Sequence, residues 1–251
     1  MSMVIDPYRF AAASSGFSPV DLNLAAWYDA SDTASITESG GAVSQWNDLS
    51  GNGRHAVQST AGAKPGTGAA SQNGLNVLTF DGGDGLLYDA GSDVVDLSPV
   101  TIFIVGRIDS TGYPRMMSAR RSSSGTRDYQ GPNMCVMRNG DVGFNVRLIS
   151  NGGEPTSPPY TDDTMFIFYG RSSGTTVYSA VNDGTVYSAA ASAPDNMRYI
   201  SLGAGMNQLD PVNFDGHMVG RLAEVVIANE DLSSGDIDSM WSYLNDKWAV
   251  Y

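Results

Sequence analysis

The chain has 251 residues, with 27 acidic against 14 basic side chains and a formal charge of -13. That balance argues against a dedicated nucleic-acid binder, which needs clustered Lys and Arg to neutralise phosphate, and against binding to an anionic membrane surface. One cysteine (Cys135) and two histidines (His55 and His217) exclude an intrachain disulfide, a CxxC metal site and a three-histidine zinc site.

Residues 1–20 read as an extended arm without periodicity, with Ile5, Tyr8, Arg9 and Phe10 as candidates for anchoring it to a partner. Nothing in Met1–Ser15 has the cationic-then-apolar order of a secretory signal, and no apolar run is long enough to span a membrane. From residue 21 to 251 a single domain is expected. Short runs rich in Val, Ile, Thr, Phe and Tyr predict strands at 22–28, 43–47, 54–58, 75–80, 85–88, 100–108, 115–119, 134–138, 141–148, 164–170, 175–181, 185–190, 198–203 and 219–228. Two turns are specific. Arg138-Asn139-Gly140-Asp141 and Val181-Asn182-Asp183-Gly184 each sit between alternating runs, as a tight hairpin requires. Local pairing of this kind makes antiparallel sheet, and so many strands without interleaved helices close as a two-sheet jelly-roll sandwich. The fold class is therefore all-β.

One helix is predicted, over 234–248. Ser233 is a good N-cap with Asp236 three residues on, and Ile237, Met240, Trp241, Leu244 and Trp248 form one apolar stripe. The stripe fits a helix packed on the sandwich, with an aromatic ligand site as the alternative reading.

Four stretches carry a resemblance to a known family. They are Leu24-Ala25-Ala26-Trp27-Tyr28-Asp29-Ala30-Ser31-Asp32, the run from Val43 through Trp46-Asn47-Asp48-Leu49-Ser50-Gly51-Asn52-Gly53-Arg54-His55-Ala56, Leu78-Thr79-Phe80-Asp81-Gly82, and Gly220–Ala228 followed by the helix. Together they resemble the concanavalin A-like lectin/glucanase superfamily, in particular the laminin-G-like jelly-roll domains of bacterial and phage proteins. The arm Ile5–Ala11 is also similar to the start of tailed-phage virion proteins. The resemblance implies a sandwich and a functionally mixed family of glycan-binding modules, adhesion modules, particle proteins and glucan hydrolases.

The residues themselves narrow this. A glycosidase needs two carboxyls roughly 5–9.5 Å apart. The Glu-x-Asp-x-x-Glu pattern of the superfamily's glucanases is absent, and Glu224 and Glu230 would lie about 20 Å apart on a continuous strand. Glu224 itself reads as a solvated or hydrogen-bonded carboxylate inside an apolar strand. Asp48-x-Ser50-x-Asn52-Gly53 resembles half of an EF-hand loop, but the twelfth position is Ser59, so a turn held by Asx and Ser side chains explains it more simply. Asp81 and Asp84 flank Gly82-Gly83 and could offer oxygens to calcium, although no cofactor is required. Arg107, Arg115, Arg120, Arg121, Arg127, Arg138 and Arg147 crowd into 41 residues beside loops that present Tyr129 and Tyr160. Arg115, Arg120, Arg121, Arg127, Tyr129 and Tyr160 are thus candidates for an acidic-glycan or partner contact.

The expectation that follows is a non-enzymatic phage virion component, a decoration, head-fibre or tail protein. Its partners would be other virion proteins, copies of itself in a homo-oligomer, or a host surface glycan, without nucleic acid or membrane insertion. A carbohydrate-binding lectin module, calcium-dependent or not, is the alternative, and a divergent polysaccharide hydrolase the third reading.

Overall fold

The computed structural model describes residues 16–91, 95–110, 112–120, 133–138, 146–150, 159–161, 163–191, 197–206 and 214–251. Two antiparallel sheets face each other. The first runs, in spatial order, Leu24–Asp29, Val219–Ala228, Val100–Ile108, Phe166–Ser172, Thr176–Val181 and Tyr187–Ala190, with Leu78–Asp81 also paired to Val219–Ala228. The second runs Val146–Ser150, Asn133–Arg138, Arg115–Arg120, Tyr199–Leu202, Leu86–Asp89, Ala56–Val57, Ala42–Trp46 and Ile36–Ser39. Among the described residues, the remaining strands form two-residue hairpins, and the only α-helix is Ser234–Trp248.

The sequence pattern explains the layers. Tyr28, Trp46, Ile102, Ile104, Phe166, Phe168, Ile200, Leu222, Val225 and Ile227 fill the space between the sheets. The alternate residues Phe103, Val105, Ile167, Tyr169, Ala223 and Val226 point out of the first sheet and meet Met240, Trp241, Leu244 and Trp248 of the helix. The central strands Val100–Ile108 and Val219–Ala228 are therefore buried on both faces. This is why they read as continuous apolar runs and not as alternation. Each fully buried helix side chain contributes about 1.5–3 kcal/mol.

The helix occupies the residues its spacing predicts. Ser233 Oγ accepts from the Asp236 N–H at 3.2 Å and donates to the Asp236 carboxylate at 2.6 Å. The Val181–Gly184 hairpin also forms. Asn182 and Asp183 sit at φ 52 and 53°, and the Gly184 N–H reaches the Val181 carbonyl at 2.9 Å, as in a type I′ turn. The other hairpin differs. Asn133–Arg138 and Val146–Ser150 do pair antiparallel, but Arg138 stands opposite Val146, so the connection spans 139–145 and is longer than an Asn-Gly two-residue turn. Those connecting residues lie outside the described ones, as do Ile5, Tyr8, Arg9 and Phe10 of the arm. One edge strand, Ile36–Ser39, escapes the sequence reading because Thr37, Glu38 and Ser39 are exposed and polar.

Candidate functional site

The helix is held in place by a buried carboxylate. On the central strand, Leu222 stands opposite Gly106 and Glu224 opposite Val105, so Ala223 is the extra residue of a β-bulge. Without it, strict alternation would turn Glu224 toward the interior with Leu222. With it, Glu224 points to the helix side, next to Asp29 across the strand pair. Its Oε1 accepts from Trp27 Nε1 at 2.8 Å and from the Tyr243 hydroxyl at 3.0 Å. Its Oε2 accepts from Trp248 Nε1 at 2.7 Å and from Lys247 Nζ at 2.8 Å. Lys247 also reaches Asp29 Oδ2 at 2.6 Å. Glu224 is fully buried, and this burial pushes its carboxyl above the ordinary range while Lys247 and the Trp248 indole pull the other way. Every acceptor here has its donor, so the cluster fastens the helix and has no room for a ligand.

Beside it, the helix and the same sheet face enclose an open cleft of about 340 Å3. Strand alternation builds its floor. Tyr169 lies opposite Ala180 and Arg171 opposite Tyr178 on adjacent strands, all four outward. The Asn182–Asp183 turn brings up Asp183, and the first turns of the helix add Ile237, Asp238 and Trp241. Tyr169, Trp241 and Phe103 pack as a ring cluster, with Phe103 edge-on to Trp241 at 5.4 Å and Tyr169 to Trp241 centroids 6.1 Å apart. Arg171 lies over the Tyr178 ring at 4.3 Å and pairs with Asp231 at 2.9 Å. Tyr169 and Trp241 are 3% and 5% exposed, yet the Tyr169 hydroxyl and the Trp241 indole N–H have no protein partner among the described residues. Arg171 Nε is likewise buried without a partner. Burial raises the Tyr169 hydroxyl to about 12, so it is a neutral donor throughout the physiological range.

A second open cleft of about 420 Å3 lies on the other sheet, lined by Thr37, Ser44, Gln45, Val57, Gln58, Ser59 and Leu87. Among the described residues it has no charged or aromatic side chain. Its amides are largely engaged: Gln45 Nε2 donates to Asn47 at 2.6 Å, and Gln58 Nε2 donates to the Gly85 carbonyl at 2.9 Å.

The arginines, tyrosines and carboxylates proposed as contacts from sequence are not gathered at either cleft, although Ile237 and Trp241 of the predicted stripe line the helix-side one. Tyr160 is 8% exposed and belongs to the core, 4.7 Å from the Phe166 ring, so it offers no face to a sugar. This corrects the reading of Tyr160 as a loop-borne platform; its ring goes where apolar burial is gained. Arg115 and Arg120 are 6% and 2% exposed on the second sheet, which corrects their reading as surface contacts. Arg121, Arg127 and Tyr129 lie outside the described residues. Arg107 pairs with Asp109 at 2.6 Å. Asp81 and Asp84 do meet at one turn, but Asp84 Oδ2 accepts from the Asp81 N–H at 2.9 Å and Asp81 Oδ1 from the Gly83 N–H at 2.9 Å. Among the described residues no group of three or more acidic, Cys or His side chains is placed to hold a metal. Asp48 accepts from the backbone N–H groups of Trp27, Ser50 and Arg54, each at 2.9 Å. The EF-hand-like stretch is an Asx-held turn that pins the first strand.

No protein-family model matches the chain, and no match was found among curated proteins. Solved structures share its fold. A Trypanosoma rangeli sialidase in complex with sialic acid is 11% identical with a TM-score of 0.60, over 90% of this chain and 33% of that one. An arabinofuranosidase complexed with arabinofuranosyl-alpha-1,2-xylobiose is 13% identical with a TM-score of 0.57, over 88% and 58%. The binding domain of botulinum neurotoxin DC in complex with SialylT is 8% identical with a TM-score of 0.54, over 90% and 52%. The chain thus spans about a third of the sialidase and somewhat over half of the other two.

These likenesses support a concanavalin-like, jelly-roll type sandwich. They also overturn two expectations. The sialidase and the arabinofuranosidase that share this fold are carbohydrate-cleaving enzymes, so the assignment as a non-enzymatic virion component and the exclusion of enzyme activity are both withdrawn.

Proposed function

We propose that this domain binds carbohydrate in the cleft between the helix and the first sheet. The observation that carries the reading is the pair of buried rings, Tyr169 and Trp241, whose polar atoms have no protein partner and line an open cleft. Both atoms keep access to solvent although their rings are buried, which leaves them open to a ligand's hydroxyls. The Tyr178 ring with Arg171 over it gives a platform for a sugar face, and Asp183 and Asp238 supply acceptors at the rim. The structural neighbours, solved in complex with sialic acid, an arabinofuranosyl xylobiose and SialylT, support the same ligand class. The laminin-G-like resemblance of the opening and closing strands agrees, since that family includes glycan-binding modules.

The test is a glycan array probed with the intact chain and with Tyr178→Ala, accompanied by an assay for released reducing ends. Retention of one glycan class by the wild type and its loss in the variant is the expected result. An array with no retained glycan, or equal retention by both proteins, would contradict the reading. Release of reducing ends that stops in Asp183→Asn or Asp238→Asn would extend binding to cleavage at this cleft.

A further inference from the structure

We infer that the glycan taken by the helix-side cleft carries protonated amines. This rests on the carbohydrate reading above and deepens it to a substrate class. The argument is one of charge. Arg171 is the only cation lining the cleft among the described residues, and it is already committed, paired with Asp231 at 2.9 Å and laid over Tyr178 at 4.3 Å. Asp183 and Asp238 are both exposed and make no ion pair or hydrogen bond among the described residues. The cleft therefore presents two uncompensated carboxylates, on a chain whose formal charge is -13. The nearby Lys247 is engaged by Glu224 and Asp29 and is not available to offset them.

One opposing field is the helix N-terminus, which also borders the cleft through Ser234. An N-terminus carries roughly half a positive charge, but here the Ser233 hydroxyl and the Asp236 carboxylate cap it. The balance remains negative. A sugar carboxylate, such as that of a sialic or uronic acid, would meet only Arg171, whose charge Asp231 already offsets, and two carboxylates that repel it. A neutral sugar would leave both unused. An ammonium on the ring would pair with them and gain from the aromatic walls as well. One such contact at about 4 Å in a half-solvated site is worth at least roughly 5-fold in affinity.

The experiment is calorimetric titration of the full chain, at low salt and about pH 6, with three tetrasaccharides: glucosamine, N-acetylglucosamine and galacturonate. At that pH a sugar amine is protonated and aspartate ionised. The expected result is that the glucosamine oligomer binds about tenfold or more tighter than its acetylated counterpart and galacturonate binds least. The preference should collapse in the double variant Asp183→Asn/Asp238→Asn and shrink in high salt. Asparagine tolerates the left-handed conformation at 183, and thermal unfolding of the variant checks that it is folded. Equal binding of the amine and acetylated forms, or tighter galacturonate binding, overturns the amine inference and leaves the carbohydrate reading standing. So does failure of all three where the glycan array still retains another sugar at this cleft. If no glycan binds in either experiment, both fall.

Discussion

The two outer faces of the sandwich carry clefts of similar size and opposite chemistry. On the bare sheet, the larger cleft is lined by hydroxyls and amides, and Gln45 and Gln58 spend their N–H groups on neighbouring protein atoms. On the helix-bearing sheet, the smaller cleft is bordered by rings whose polar atoms are left open and by carboxylates with no partner among the described residues. Recognition groups are distinguished by what they leave unsatisfied, not by the volume they enclose. The same contrast recurs a few residues along the helix. Glu224 meets four donors and is sealed, while Asp238 on the adjoining helix surface meets none among the described residues. One region is built to stay closed and the other to be completed by something else.

The strongest way to break the comparison is to remove the fastening of the helix. Glu224→Ala strands the Trp27 and Trp248 indoles and the Tyr243 hydroxyl without their acceptor and leaves Lys247 to Asp29 alone, and should cost about 3–5 kcal/mol in urea unfolding. It should loosen the helix-side cleft while leaving the bare-sheet cleft intact. A loss under about 1 kcal/mol would show that apolar packing alone holds the helix.

Next in size is the platform. Tyr178 is half-buried, so Tyr178→Ala should change stability little but weaken glycan binding about tenfold, which titration measures directly.

A smaller effect concerns the turn that carries the chain from the first sheet to the second. Burial and the neighbouring Asp81 push the Asp84 carboxyl up to about 6. A carboxyl raised in the folded state binds its proton more tightly than in the unfolded chain. Its stabilising contribution is therefore complete below about pH 4 and lost as pH rises through about 6. With solvent screening the loss should be roughly 1 kcal/mol, read as a slope in stability against pH that Asp84→Asn removes.

The smallest expected effect sharpens the contrast from the other side. Gln45→Ala, in the bare-sheet cleft, should leave glycan affinity within about twofold of wild type. A larger loss would move recognition to that face.

Most of the fold was legible because it rests on local signals. Val100–Ile108 and Val219–Ala228 announce themselves as long apolar runs, Ser233 and Asp236 mark the helix start, and Asn182-Asp183 marks a turn that forms. The candidate site was legible only at its helix edge, where the stripe holding Ile237 and Trp241 left an aromatic ligand site as the alternative reading. Its residues come from two strands, one turn and one helix between 169 and 241, and no fixed spacing links them. The Tyr169/Arg171 and Tyr178/Ala180 alternation was available, but which face those residues share with Trp241 depends on where the helix docks. That in turn depends on the bulge at Ala223, which redirects Glu224. A bulge of this kind leaves no mark in the alternation of an all-buried strand. The arginine cluster misled for a related reason. Sequence proximity brought Arg115 and Arg120 to notice, and strand geometry then buried them.

The claim that the helix-side cleft is the recognition site is tested most directly by amide hydrogen exchange with and without the glycan retained on the array. The account predicts new protection confined to the Tyr169–Gly184 hairpin and the helix residues Ser234–Trp241. Protection over Thr37–Ser59 and Leu87 instead, with the helix and hairpin unchanged, would contradict it.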